Sequence, residues 1–226
     1  MTAEQGPGAG PGAGTGQTRE VAALIAGAHT LGVPLAEGDA GRLLQLLDEL
    51  TRWNRAYNLT AVTDRSEMLT HHLLDSLAVA PYLAGPGVAD VGTGAGFPGL
   101  PLARVRPDLR FTLIDSAGKK LRFVAHAART LGLANVETLH ARVEELKPRT
   151  PFDTVVARAF APLPRLLDLV APLSGVDTRV LAMKGRHPDN EIKEVRPPWR
   201  VIETVALGVP GLNEARHLVI LDRLPP

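Results

Sequence analysis

Apolar residues recur at steps of three and four through the first third of the chain and in short unbroken runs afterwards, so the hydrophobic period changes near residue 87. Helical spacing begins near Arg19. It is strongest where Leu43, Leu47, Leu50, Trp53 and Tyr57 define an amphipathic helix, with core packing the expected role of both rings. A third helix is expected to start at Thr63 or Asp64, either of which can cap it. It carries Leu69, Leu73, Leu77 and Ala80 on one face until Pro81 interrupts. Beyond residue 87 the runs are Val88–Val91, Phe111–Asp115, Val136–Leu139, Phe152–Ala157 and Val180–Met183. Helical patterns lie between them, notably Lys119–Leu131 and Pro162–Leu173.

Such alternation predicts an α/β fold, a mostly parallel sheet with helices on both faces. Two further runs, Trp199–Ala206 and Arg216–Leu221, are joined by a loop containing GVPGLNE and predict a terminal antiparallel hairpin. Residues 1–18, glycine-rich and without apolar period, are expected to be a disordered tail. The chain therefore divides into that tail, a helical segment over 19–86 and a core over 87–226.

At 226 residues and 45% hydrophobic content the chain can bury a core. It has no cysteine, which excludes disulfides, thiolate metal sites and a thiol nucleophile. No apolar signal core precedes Arg19 and no run is long enough to span a membrane, so a cytoplasmic protein acting as a monomer is expected. The net charge is only +1. It is uneven, however: Arg104, Arg106, Arg110, Lys119, Lys120, Arg122 and Arg129 face only Asp108 and Asp115 between Pro101 and Thr130. That excess fits either a footprint for phosphates or a solvated helix surface.

The strand ending at Val91 runs into a glycine-rich turn, DVGTGAGFPG. Read from Gly94 it matches a dinucleotide fingerprint, by itself a weak signal. Pro98, however, removes an amide that a pyrophosphate would need, and Asp90 is a poor neighbour for a diphosphate. No second nucleotide-binding half follows. A ligand with a ribose and a cationic group but no phosphate fits better, which points to S-adenosylmethionine. Asp115, at the end of the next strand, can accept from ribose hydroxyls or cap the helix that follows.

Several blocks together, RWNRAYNLTAVTD, HHLLDSLAVAPYL, DVGTGAGFPGLPLA, FTLIDSAGKKLRFV, ARVEEL, VVARAFAPL and AMKG, resemble the RsmG/GidB family of 16S rRNA guanine-N7 methyltransferases, from about Leu43 to about Arg186. The resemblance implies a class I, Rossmann-like methyltransferase fold and S-adenosylmethionine as donor. It further implies a guanosine of the decoding region in 16S rRNA, within the small ribosomal subunit, as acceptor. It maps cofactor contacts onto Gly92, Phe97, Val143, Glu144 and Arg158, beside Gly94 and Asp115 from the loop reading. Arg142 stands where many class I enzymes carry an acid.

Guanine N7 offers a lone pair and has no proton to lose, so positioning suffices and no general base or metal is required. No catalytic acid or base is identified. Cytosine C5 methylation would need the absent cysteine. The string expected after the fourth strand of an amino-group methyltransferase is replaced by Arg158-Ala159-Phe160-Ala161-Pro162, and RPPW at 196–199 reads as a turn. A shielded N7 must be presented in a loop or extruded. Phe97 and Phe160, on strand-end loops, are the candidates to stack on it. His72, Asp75 and Ser76 share a helical face and are expected to form a hydrogen-bonded helix junction. Lys119, Lys120, Arg122, Lys184 and Arg186 are assigned to RNA phosphates. Two other readings compete: an NAD(P)-dependent oxidoreductase, and a non-catalytic RNA-binding factor on the same scaffold.

Overall fold

The computed structural model describes residues 13–225. The first twelve residues of the expected tail lie outside the described residues, and the rest open helix α1 (Ala13–Thr30), six residues before the expected start. Helix α2 (Glu37–Tyr57) buries Leu43, Leu44, Leu46, Leu47 and Leu50 along one stripe. It stops at Asn58, which takes the left-handed conformation and donates back to Asn54. Trp53 packs against the core, whereas Tyr57 is 40% exposed, so only one of the two rings fills its expected role.

Asp64 caps the third helix by accepting the amides of Ser66 and Glu67. That helix is not uniform. It is α-helical over α3 (Arg65–Met68), widens into a π turn at Leu69–Leu74 and resumes as α4 (Asp75–Leu77). The amide of Asp75 bonds the carbonyl of Thr70, five residues back.

The sheet follows as β1 (Gly87–Val91), α5 (Gly99–Val105), β2 (Arg110–Asp115), α6 (Gly118–Thr130), β3 (Val136–His140), β4 (Phe152–Arg158), α7 (Leu163–Val170), β5 (Ser174–Lys184), α8 (Asp189–Lys193), β6 (Trp199–Ala206) and β7 (His217–Arg223). Its order is β3-β2-β1-β4-β5-β7-β6. The first five strands run parallel, and β7 enters antiparallel between β5 and β6. The order reverses between β1 and β4, so their carboxyl ends splay apart into a crevice.

One face of the sheet and the N-terminal helices share a single core, in which Leu24, Leu47 and Leu73 join Phe111 and Phe123. The other face packs Val91, Ile114, Val155 and Val180 against Leu166 of α7 and Trp199. The expected segments 19–86 and 87–226 are thus joined through shared apolar contacts. Leu47→Ala, at a fully buried site, should cost about 2–5 kcal/mol. Urea denaturation should show it as an earlier but still single transition; two transitions would mean that the helices melt apart from the sheet.

Candidate active site

The turn after β1 is organised by a carboxyl with no solvent contact. Asp90 Oδ2 accepts from Thr93 Oγ1 at 2.6 Å and from the Gly99 amide at 2.8 Å, which ties the entry of the turn to the start of α5. Oδ1 is buried without a hydrogen-bond partner. The other amides also turn inward: Gly92 and Thr93 donate to Ile114, Gly94 to Asp115, Gly96 and Phe97 to Thr93, and Leu100 to Gly96. With those donors committed and Pro98 carrying none, the turn presents no nest for a diphosphate. Gly92 holds φ +68°, and a Cβ there would sit 2.2 Å from the Phe160 ring.

Two cavities open at the crevice. One, of about 360 Å³, is walled by Gly92, Asp115, Val143, Glu144 and Phe160. Asp115 accepts one bond on each oxygen, from Gly94 and from Ala117 at 2.9 and 2.7 Å, and a carboxylate has lone pairs for more. The lining fits S-adenosylmethionine: a carboxylate with lone pairs for a diol, and a glycine where a side chain would collide. The second cavity, of about 490 Å³, is walled by His72, Asp75, Arg158, Lys184, Arg216 and His217. Ala159, at φ +49°, lines both.

A family model described as GidB, rRNA small subunit methyltransferase G, matches residues 40–219. The chain belongs to the GidB family. It is 47% identical over 207 residues to "Ribosomal RNA small subunit methyltransferase G" of Ectopseudomonas mendocina, covering 91% of this chain and 97% of that one. The protein of the same name from Shigella dysenteriae is 45% identical over 190 residues, covering 84% and 92%. Among solved structures, magnesium protoporphyrin IX methyltransferase from Synechocystis shares the fold with a TM-score of 0.57 at 16% identity, over 84% of this chain and 98% of that one. TrmN from Thermus thermophilus does so at 0.52 and 22%, over 69% and 53%. GidB membership and the class I fold make the chain an S-adenosylmethionine-dependent methyltransferase of ribosomal RNA. Neither the family nor the turn supports an oxidoreductase or a purely RNA-binding protein.

The GidB chain brings together Gly92, Gly94, Asp115, Val143 and Glu144 on the β1–β2 side of the crevice, with Val143 buried and Glu144 exposed. Other expectations need correction. Phe97 is 3% exposed, stacked on His72 at 4.7 Å between ring centroids, so it supports the wall and offers no free face to a base. Phe160 lines the Gly92 cavity and not the Arg158 cavity. Lys184 is partly committed, because Nζ donates to Glu191 at 2.7 Å and to the Ala161 carbonyl at 3.0 Å, which leaves one of its three donors on the wall of the larger cavity. Lys120 faces the Gly92 cavity, while Lys119, Arg122 and Arg186 are exposed. Part of the basic excess is neutralised within the fold, Arg104 by Asp39 and Arg106 by Asp108.

Arg158 ends β4 and reaches the π turn, where Nη1 donates to the His71 carbonyl at 2.8 Å and to Asp75 Oδ2 at 3.1 Å. Ser76 bonds the His72 carbonyl and His72 Nε2 meets Thr60 Oγ1 at 3.0 Å, so the expected helix junction is present. It also walls a cavity. Arg216 and His217 were not anticipated as site residues. His217 starts β7 and Arg216 precedes it, and an antiparallel strand brings its beginning to the edge where parallel strands end.

Burial pushes the Asp90 carboxyl up to about 6, against the pull of its hydrogen bonds to Thr93 and Gly99. Burial, helped by the charge of Arg158, takes the His72 imidazole down to about 4. Folded Asp90 keeps a proton that the unfolded chain loses above 3.8, so its contribution is complete below that value and lost as pH rises through 6. Folded His72 refuses a proton that the unfolded chain takes below 6.5, so its contribution is lost as pH falls toward 4. Each effect is about 3 kcal/mol and their windows overlap, so they nearly cancel. In thermal melts from pH 7 to 4.5, Asp90→Asn should lose Tm relative to the parent and His72→Gln should gain it. Parallel curves for all three proteins would refute both assignments.

Proposed function

We propose that this chain transfers a methyl group from S-adenosylmethionine to N7 of a guanosine in the decoding region of 16S rRNA, within the small ribosomal subunit. The observation that carries the choice of N7 is the state of the titratable groups on the Arg158 side of the crevice. His72 is held neutral, with Nε2 bonded to Thr60, and Asp75 is held through Oδ2 by Arg158, so this wall carries no histidine–carboxylate pair arranged to remove a proton. An acceptor without a proton needs neither. The acceptor places the reaction in the cytoplasm, and one chain supplies every residue named.

When bound, S-adenosylmethionine supplies a methyl group already activated by its sulfonium. Around it, Gly92 keeps the floor of the smaller cavity clear, and Asp115 orients the ribose through its remaining lone pairs. Val143 offers its backbone to the adenine edge, and Glu144 accepts from the amino group. Phe160 closes the wall opposite Gly92. Arg158 uses Nη1 for its protein partners and keeps Nε and Nη2 as donors for a carboxylate. Catalysis is then chiefly alignment, for which up to about 7–11 kcal/mol is available when the reacting atoms are held in line.

Gly92→Ala should drive Phe160 into the cavity and weaken S-adenosylhomocysteine binding more than tenfold by calorimetry. Adding Phe160→Ala should recover part of the loss, and no recovery would place the cofactor elsewhere. On the RNA side, Lys119→Glu with Arg122→Glu should weaken binding to small subunits. The double change should also flatten the plot of log affinity against log salt by about one unit of slope per residue. An unchanged slope would remove α6 from the RNA face.

A further inference from the structure

One carboxylate on the wall of the larger cavity is served by two arginines in unlike ways. Arg158 is fixed by two hydrogen bonds from Nη1, and its guanidinium lies 5.7 Å from the centroid of the Phe97 ring. Arg216 makes no hydrogen bond to the carboxylate, its Nη1 donating instead to the Ala215 carbonyl at 3.0 Å. Its Nε lies 3.2 Å from Asp75 Oδ1, yet the N–H is not aimed at that oxygen, which is buried without a hydrogen bond. The Arg216 side chain is 21% exposed against 4% for Asp75, it precedes β7 on the connection from β6, and Glu214 stands 3.9 Å away as a second acid. A buried carboxylate oxygen lacking a hydrogen bond is costly, and this one belongs to a residue that lines a cavity able to admit a donor.

We propose that Asp75 reads the Watson–Crick edge of the acceptor guanine, and that Arg216 holds that place until RNA arrives. The inference rests on the guanine-N7 reading given above. The N1–H and 2-amino groups of guanine form part of a guanidine unit, with two nearly parallel donors matching those of an arginine fork. A carboxylate seated against one can therefore receive the other. Adenine and cytosine each present a ring-nitrogen lone pair at that edge, which a carboxylate repels. N7 lies on the opposite side of the purine, so a base gripped through its Watson–Crick edge leaves N7 free to face the wall at Ala159. Arg216, released from Asp75, gains an RNA phosphate as its partner. Arg158 stays in place and keeps Asp75 oriented.

The test compares small ribosomal subunits reconstituted with guanosine or inosine at the acceptor position, measuring both binding and kcat/KM. Inosine retains N7, O6 and N1–H and lacks only the 2-amino group. The wild-type protein should lose about tenfold or more in kcat/KM on inosine, with weaker binding, as expected for the loss of one arm of a bidentate pair. Asp75→Asn should shrink that penalty to within about twofold, while Arg216→Gln should keep it whole. Equal treatment of the two subunits by the wild-type protein overturns the proposal, whether or not Asp75→Asn folds. So does a penalty that survives in a folded Asp75→Asn protein, or one that vanishes in Arg216→Gln. Absence of transfer to guanosine subunits would instead overturn the guanine-N7 reading itself.

Discussion

The arrangement of the crevice depends on one buried carboxyl. Asp90 ends a fully covered strand and receives the side chain of Thr93 and the amide of Gly99, so the chain must bend back over it within nine residues. That bend uses three glycines in left-handed conformations and turns the backbone amides inward. A dinucleotide loop with similar spacing aims its amides outward at phosphate. Here Asp90 takes the Gly99 amide while Ile114, Asp115 and Thr93 take those of the turn, and the difference in ligand class follows from where the N–H groups point rather than from the glycine count.

A second constraint joins the helical segment to the sheet. Burying the guanidinium of Arg158 at the end of β4 requires acceptors. They come from a helix that widens by one residue per turn, which brings the carbonyl of His71 and the carboxylate of Asp75 to the same Nη1. The widened turn also places His72 on Phe97. The N-terminal helices thus supply one wall of the crevice as well as covering one sheet face, and the shared apolar core holds that wall in register.

The sheet was legible because β1 and β4, at its centre, carry short apolar runs covered on both faces, whereas the edge strand β3 is half-covered and has Glu137 and Thr138 between its apolar residues. Strand β5 begins at Ser174, earlier than its apolar run, because Asp177 and Arg179 hide its first half from a hydrophobicity count. The π turn left no trace, since Leu69, Leu73 and Leu77 keep helical spacing with or without one wider turn. Gly92, Asp115 and Glu144 were readable because they follow directly from strand ends. The ion pair of Lys184 was not readable, because its partner Glu191 lies on α8, five residues long and without an apolar stripe. Arg216 was missed because the expected hairpin did not say that its second strand, β7, would be the one beside β5. Phe97 and Phe160 follow different strands and were treated alike, and only packing separates them.

Ala159 stands where the two cavities meet, in a left-handed backbone conformation uncommon for a residue other than glycine. Its side chain belongs to both walls at once, so enlarging it would narrow the two chambers together.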